Sequence, residues 1–365
     1  MPWESRAAAI EFAGWINSAD QKMPLDTMAS IINHQVLLAS RPTGIPEAEH
    51  FEFAEEKVGT PGEGEFLIRN IFLSVDPAMK GWVNVAKNYS EPVAIGAVMR
   101  AIALGEVIES NHPKYAVGSH VVGTFGWQEY IVSNGDDVRL RVPDLLDLDV
   151  PLSAFLGVLG MNAITAYFGL LDIGEPKEGE TVVVSTAAGA VGSAVGQIAK
   201  IKGCRTVGIT GSDEKVGFCR DDFGYDVAIN YKTADLEAAL TEACPDGVNV
   251  YYDNTSGAIS DAVYQKLAVG ARCIVCGTAS IEVWNPLPAG PRIERALLVN
   301  RARIQGLYIF DYLDRWEEAL KELCQWFQEG KLNYREEFLD GLAQAPSSIA
   351  RLYEGANKGK LLIRL

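Results

Sequence analysis

Histidine is scarce in this 365-residue chain, with only His34, His50, His112 and His120, and no cysteine precedes position 204. A catalytic zinc needs about three protein ligands and a structural zinc four, so the first half of the chain offers no metal set. His112 and His120 read as ordinary loop and strand residues. The six cysteines, Cys204, Cys219, Cys244, Cys273, Cys276 and Cys324, show no framework spacing, which fits free thiols in a reducing, cytoplasmic compartment. Cys273 and Cys276 form a CxxC inside a strand-like run, where alternate residues face opposite ways, so the expectation is no bound metal and no zinc. Positive charge is also short. Lysine and arginine total 32 against 48 acidic residues, a formal net charge of −16, which argues against nucleic-acid partners and against anionic membrane surfaces. No run is long enough to span a bilayer. The first residues lack the basic and apolar regions of a secretory signal. Residues 1–27 show no period and are read as an extension, with Met28 as a plausible second start. A G-x-S-x-G elbow and a Walker lysine are missing too.

What is present centres on Thr181-Val-Val-Val-Ser-Thr-Ala-Ala-Gly-Ala-Val-Gly-Ser193. The β-branched run Thr181 to Ser185 has the pattern of a strand buried on both faces. Small residues follow, and then Val191, Val195, Ile198 and Ala199 recur at helical spacing. Strand, glycine turn and helix open a dinucleotide-binding unit. Gly189, Ala190, Val191 and Gly192 would meet a pyrophosphate at the helix N-terminus, although Ala187 stands where the first glycine of the usual triplet belongs.

With this turn as reference, the length predicts two domains. Val36–Ala39, Glu65–Ser74, Gly105–Glu109 and His120–Thr124 read as short strands of a β-rich, barrel-like domain. Its loops Val75–Trp82 and Lys87–Pro92 are of the kind that carry function. Residues 151–171 suggest one long buried helix carrying Met161 and Thr165. Beyond the glycine turn, Arg205–Thr210, Asp226–Asn230, Val248–Asp253, Ala271–Gly277 and Arg303–Phe310 are further strands, which makes a doubly wound parallel sheet. Ser212 and Thr233 are expected helix caps, and Gly203 an expected helix stop. Trp316–Gln328 is amphipathic, and Lys360–Leu365 reads as a terminal strand returning to the first domain. The expected division is 1–27 extension, 28–155 β-rich domain, 156–313 nucleotide domain and 314–365 return segment.

The second strand of the sheet ends Gly208-Ile-Thr-Gly211 with no carboxylate at its tip, where an NAD-binding unit usually presents one to the ribose hydroxyls. Gly211 gives room, Ser212 a hydroxyl and Lys215 a charge for a 2′-phosphate, which points to NADP(H). Without a metal, the chemistry falls to cofactor, ribose hydroxyls, backbone donors and a phenol. That favours reducing a C=C bond conjugated to a carbonyl, where the enolate needs only modest stabilisation.

Several motifs carry a family resemblance. They are Leu73-Ser-Val-Asp-Pro77, Gly160-Met-Asn-Ala-Ile-Thr-Ala-Tyr-Phe-Gly-Leu170, Ala187–Ser193, Gly211–Lys215, Ile229-Asn-Tyr-Lys232, Tyr252-Asp-Asn254 and Gly355–Lys360. From about Val36 onward the chain resembles the zinc-independent medium-chain dehydrogenase/reductases of the leukotriene B4 12-hydroxydehydrogenase, prostaglandin reductase and curcumin reductase type. The resemblance implies a GroES-like catalytic domain plus a Rossmann domain, and an NADPH-dependent reductase of enones and enals, usually a homodimer. It puts the 2′-phosphate on Lys215 and Tyr231. It puts nicotinamide-side contacts on Asn254, on Cys276, Gly277, Thr278, Ala279 and Ser280, on Leu307, Tyr308 and Ile309, and on Asn357. Met161 and Thr165 join the cofactor-binding set on the same resemblance.

Two departures stand out. Ala78 occupies the place of a tyrosine after Val-Asp-Pro, and Trp284 stands before Asn285 where many members have a tyrosine proposed as proton donor. Tyr89 is the remaining candidate phenol, as proton donor or as a substrate-lining aromatic, so the substrate pocket is expected at Ala78, Tyr89 and Trp284. Quinone or carbonyl reduction is the alternative reaction. A non-catalytic dinucleotide-binding sensor is the alternative of another class.

Overall fold

A computed structural model describes residues 31–85, 89–142 and 150–365. Residues 1–27, Met28 and Lys87 lie outside the described residues. The first unit contains β1 (Ile32–Leu38), β2 (Phe51–Lys57), β3 (Phe66–Ser74), the short helix α1 (Ala78–Trp82), β4 (Ala103–Ser110), β5 (His120–Gly123), β6 (Tyr130–Ser133) and β7 (Val138–Arg141). The second unit begins at α2 (Met161–Phe168) and alternates strand and helix. In order come β8 (Thr181–Ser185), α3 (Ala190–Ile201), β9 (Arg205–Thr210), α4 (Asp213–Asp221), β10 (Val227–Asn230), α5 (Leu236–Ala243) and β11 (Val248–Asp253). They are followed by α6 (Gly257–Tyr264), β12 (Leu267–Val275), α7 (Glu294–Asn300) and β13 (Arg303–Gly306). The chain closes with α8 (Trp316–Gln328), β14 (Glu336–Asp340), α9 (Ala345–Tyr353) and β15 (Lys360–Arg364).

The six strands of the second unit are ordered β10-β9-β8-β11-β12-β13 and every pair is parallel. This is the doubly wound arrangement, whose strand order reverses between β8 and β11. All five residues of β8 are buried. Val182 and Val184 enter one hydrophobic core and Val183 the opposite one, as a strand covered on both faces requires. Burying each of these valines stabilises by about 1.5–3 kcal/mol relative to exposure.

β15 returns to the first unit as expected, pairing antiparallel with β3 so that Ile363 faces Leu73. It joins a seven-stranded sheet ordered β14-β15-β3-β4-β5-β7, with β6 on β3. Leu361 and Ile363 pack in the core of the first unit, while Leu362 between them enters the core shared with α2 and α3. The last strand therefore lies between two cores, and its alternation divides them.

Four local expectations are corrected. Residues 151–171 are not one helix: a 3-10 turn at Leu152–Leu156 is followed by α2 and a π-helical turn at Gly169–Gly174. The break sits at Gly160, where a Cβ would stand 1.9 Å from the Phe155 carbonyl oxygen. β13 ends at Gly306, and Ile309–Arg315 forms a 3-10 helix, so Leu307, Tyr308 and Ile309 are a loop and helix start rather than a strand. Asp235, not Thr233, caps α5, accepting a hydrogen bond from the Ala238 amide. The stretch Val75–Trp82 is not all loop, since α1 occupies Ala78–Trp82, and β2, β6, β7, β14 and α9 carry no clear signal in the sequence. β2 is almost entirely exposed and offers no clear alternation, while α9 opens on Ala345-Pro-Ser-Ser, which reads as a turn until its buried face is counted. Ser212 does cap α4, accepting from the Lys215 amide, and Gly203 ends α3 at φ +77°.

Candidate active site

The glycine turn is shaped by what its backbone must clear. Thr186 takes a left-handed φ of +53°, an uncommon conformation for a β-branched residue. A Cβ on Gly192 would stand 2.3 Å from the Thr186 carbonyl oxygen and 2.9 Å from the Ala187 Cα, so only glycine lets α3 approach β8 this closely. Tyr225, fully buried behind the turn, donates to the Gly192 carbonyl at 2.6 Å. Its ring lies where a side chain on Gly196 would go. The result is a backbone cradle at the N-terminus of a twelve-residue helix, where unpaired amides and the helix dipole favour an anion.

The ends of β8 and β11 are tied together where the sheet order reverses. The Asn254 amide donates to Ser185 Oγ at 2.8 Å, and its side-chain Nδ2 donates to the Ser185 carbonyl at 2.7 Å. Asp253, 1% exposed, holds the following turn by accepting from the Thr255 and Ser256 amides and from Ser260. The Cys276–Ser280 turn is stitched to the same point: the Cys276 amide donates to the Asp253 carbonyl at 2.8 Å, and Ser280 Oγ donates to the Thr255 carbonyl at 2.8 Å. Gly277 must be small there, since a Cβ would stand 2.9 Å from the Asn254 carbonyl oxygen. Burial pushes the Cys276 thiol up to about 11, so it stays protonated near neutral pH. Thr165 turns its hydroxyl back to the Met161 carbonyl, and its own carbonyl accepts from Tyr252.

At the tip of β9, Gly211 opens a recess. A Cβ there would stand 3.3 Å from the Tyr231 ring and 3.4 Å from Lys232 Cε. Lys215 faces the same recess: burial, and after it the nearby Lys232 ammonium, lower its pKa. The Glu214 and Glu337 carboxylates also act on Lys215 and partly offset this, and Glu214 is itself paired with Lys358; two neighbouring ammonium groups offer charge-assisted donors to an anion. Lys215 Nζ also donates to the Gly355 carbonyl at 2.9 Å and to Asn357 Oδ1 at 3.5 Å. Asn357, assigned by the resemblance to the nicotinamide side, is thus in contact with Lys215. Lys232 was not among the expected cofactor residues, although it closes the quoted Ile229–Lys232 motif.

The first unit meets these turns through Tyr89 and Lys80. The Tyr89 ring packs on Tyr308 with centroids 4.9 Å apart. Tyr89 as a whole is more than half exposed (57%), yet its phenol is crowded: burial, then Tyr308, Cys276 and Asp76, raise its pKa. Ala78 starts α1 beside Pro77, whose carbonyl accepts from the Tyr353 hydroxyl at 3.0 Å. Tyr353 of α9 therefore brings a phenol to the neighbourhood left small by Ala78, from so far along the chain that no local signal announces it. Lys80 Nζ crosses to the Ile281 carbonyl at 2.9 Å, and burial lowers its pKa. Trp284 lies in the loop that follows, about half exposed (49%).

Among the described residues, no three His, Cys, Asp or Glu side chains come together in a group able to hold a metal. Residues 34–140 match the family described as the N-terminal domain of oxidoreductase, and residues 190–325 the family described as zinc-binding dehydrogenase. The NADPH-dependent curcumin reductase of Escherichia coli is 45% identical over 338 residues, covering 91% of this chain and 97% of that protein. The chain belongs to the zinc-independent medium-chain dehydrogenase/reductases of the double-bond reductase type. Within that family, the NADP(+)-dependent 2-alkenal reductase of Nicotiana tabacum is 36% identical, covering 91% of this chain and 97% of its own. The crystal structure of CurA from Vibrio vulnificus in complex with NADPH superposes with a TM-score of 0.85 at 43% identity, covering 91% of this chain and 98% of that one.

Proposed function

We propose that the protein is an NADPH-dependent reductase that saturates the C=C bond of α,β-unsaturated ketones and aldehydes. The observation that carries this reading is the meeting, at the β8/β11 reversal, of the Asn254 and Cys276–Ser280 turns with the paired phenols Tyr89 and Tyr308. Its support from relatives is the likeness to a curcumin reductase and a 2-alkenal reductase. When bound, NADPH supplies a hydride that adds to the β-carbon, moving electrons onto the carbonyl oxygen and leaving NADP+.

The chain's part is positioning. Gly189, Ala190, Val191 and Gly192 receive the pyrophosphate, and Gly211, Ser212, Lys215, Tyr231 and Lys232 the 2′-phosphate. Met161, Thr165, Asn254, the Cys276–Ser280 turn and Leu307, Tyr308 and Ile309 face the nicotinamide side. Tyr89 is the proton donor to the α-carbon; like any phenol it is in its acid form at neutral pH, and its raised pKa makes it a weaker acid than a free phenol. Ala78 and Trp284 line the substrate pocket.

The division at residues 28–155, 156–313 and 314–365 is supported by sheet membership, with β14 and β15 returning to the first sheet. A homodimer is supported by the sheet edge at β13 and by Leu298 (79%) and Val299 (55%) exposed on α7 before it. A cytoplasmic setting is supported by six free cysteines, and no described helix is long and apolar enough to cross a membrane. Incubation with NADPH and a panel of enones and enals, followed by mass analysis, tests the activity. A saturated carbonyl product is expected; tight NADPH binding with no turnover of any member would refute it.

A further inference from the structure

Lys360 opens β15 with its ammonium almost out of water: its side chain is 5% exposed, and that of its partner Asp76 is 6% exposed. Three donors meet three acceptors. Lys360 Nζ donates to Asp76 Oδ1 at 2.7 Å, to Ser74 Oγ at 2.6 Å and to the Val75 carbonyl at 3.1 Å, while Ser74 Oγ donates to Asp76 Oδ2. Ser74 ends β3 and Asp76 leads directly into Pro77, Ala78 and Lys80, the pocket lip. A buried ion pair adds little stability over an apolar pair of the same volume, because desolvation offsets the attraction. What it does supply is direction, since an ammonium with three fixed acceptors allows one placement of the backbone it holds.

The rest of Lys360 faces the cofactor side. Its stem packs on Gly157, where a Cβ would lie 3.6 Å from Lys360 Cγ. With Gly189, Ala190 and Ser193 it walls one narrow cavity behind the pyrophosphate turn. Immediately before it, Gly355 and Asn357 take the Lys215 ammonium, and Lys358 Nζ reaches Glu214 Oε1 at 2.8 Å. Gly359 pins the segment, with its amide neighbour Lys360 donating to the Arg335 carbonyl at 2.8 Å. A Cβ on Gly359 would stand 2.3 Å from that same oxygen.

We infer that Lys360 is a positioning residue for the reductase reaction: through Ser74 and Asp76 it fixes the substrate-pocket lip against the cofactor turn. Through residues 355–359 it ties that lip to the recess holding Lys215. The inference rests on the double-bond reductase reading, and its test carries a readout independent of turnover. Two changes probe it. Ser74→Ala removes one acceptor with little volume change, and Lys360→Met with Asp76→Leu replaces the pair by apolar side chains without leaving an orphan charge. Three quantities are read: NADPH affinity by fluorescence titration, kcat and KM for an enone, and amide hydrogen exchange across residues 74–82.

Expected for the double variant are an NADPH Kd within about threefold of the parent, a kcat lower by about tenfold or more, and faster exchange across 74–82. Ser74→Ala should move the same quantities in the same direction by less. Unchanged kcat, KM and exchange in either folded variant would overturn the inference. If the parent turns over no enone, the activity reading fails by itself, and the exchange data alone decide whether Lys360 holds the lip.

Discussion

Removing the Lys215 ammonium tests the cofactor assignment most sharply, because one side chain is asked to distinguish two cofactors that differ by one phosphate. Lys215→Met keeps most of the stem that packs in the recess and deletes only the charge. A charge-assisted hydrogen bond contributes about 1.5–3 kcal/mol, and about 1.4 kcal/mol is tenfold in affinity. NADPH should therefore bind about 10- to 100-fold more weakly, with NADH changed by no more than about twofold. The lower end is expected, since burial first and the Lys232 ammonium second lower the Lys215 pKa, so part of its charge interaction is already opposed before the phosphate arrives. Removing one relieves the other.

Titration calorimetry with NADPH, NADH and 2′-AMP gives the three affinities. Repeating it from low to high salt should narrow the NADPH preference of the parent, because exposed charges are screened over about 8 Å at physiological ionic strength. Lys215 also holds the Gly355 carbonyl and Asn357, so Lys215→Arg, which keeps the charge, should recover most of the loss. Equal weakening of NADPH and NADH would show a merely structural role, and unchanged NADPH affinity would refute the assignment.

Tyr89→Phe should lower kcat by about 100-fold or more, as loss of a general acid does, with little change in NADPH affinity. A fall below about threefold would make Tyr89 a lining residue and water the proton source. Because its pKa is raised, kcat should stay level through neutral pH and decline only as the pH climbs past the usual phenol value; an alkaline limb below pH 9 would contradict this. Gly192→Ala places a methyl 2.3 Å from the Thr186 carbonyl oxygen and should destabilise by about 1–3 kcal/mol while weakening NADPH and NADH together, read by thermal unfolding and titration. Exhaustive dialysis against a chelator should leave kcat unchanged; loss restored by zinc would contradict the ligand argument.

The parts legible in the sequence are those whose signals are local. The valine run, glycine turn and helix of Thr181–Ile201, the Ser212 cap, and Trp316–Gln328 follow from residues within a few positions of each other. Even the return of Lys360–Leu365 was legible, since a short apolar terminal run needs a sheet to complete. The break at Gly160 was not, because the close approach of the Phe155 carbonyl to Gly160 shows only in the folded backbone. Nor were Tyr353 on Pro77 or Lys360 on Asp76, contacts spanning 276 and 284 residues of chain. Lys232 closes the Ile229–Lys232 motif, but its closeness to Gly211 at the tip of β9 appears only in the fold.

The central claim is that hydride reaches a carbon conjugated to a carbonyl, and deuterium labelling tests it directly. NADPH deuterated at C4 should give a saturated ketone carrying one deuterium on its β-carbon, seen by mass spectrometry and NMR. Deuterium on a carbinol carbon, a hydroquinone from quinone substrates with enones untouched, or bound NADPH never consumed would contradict it.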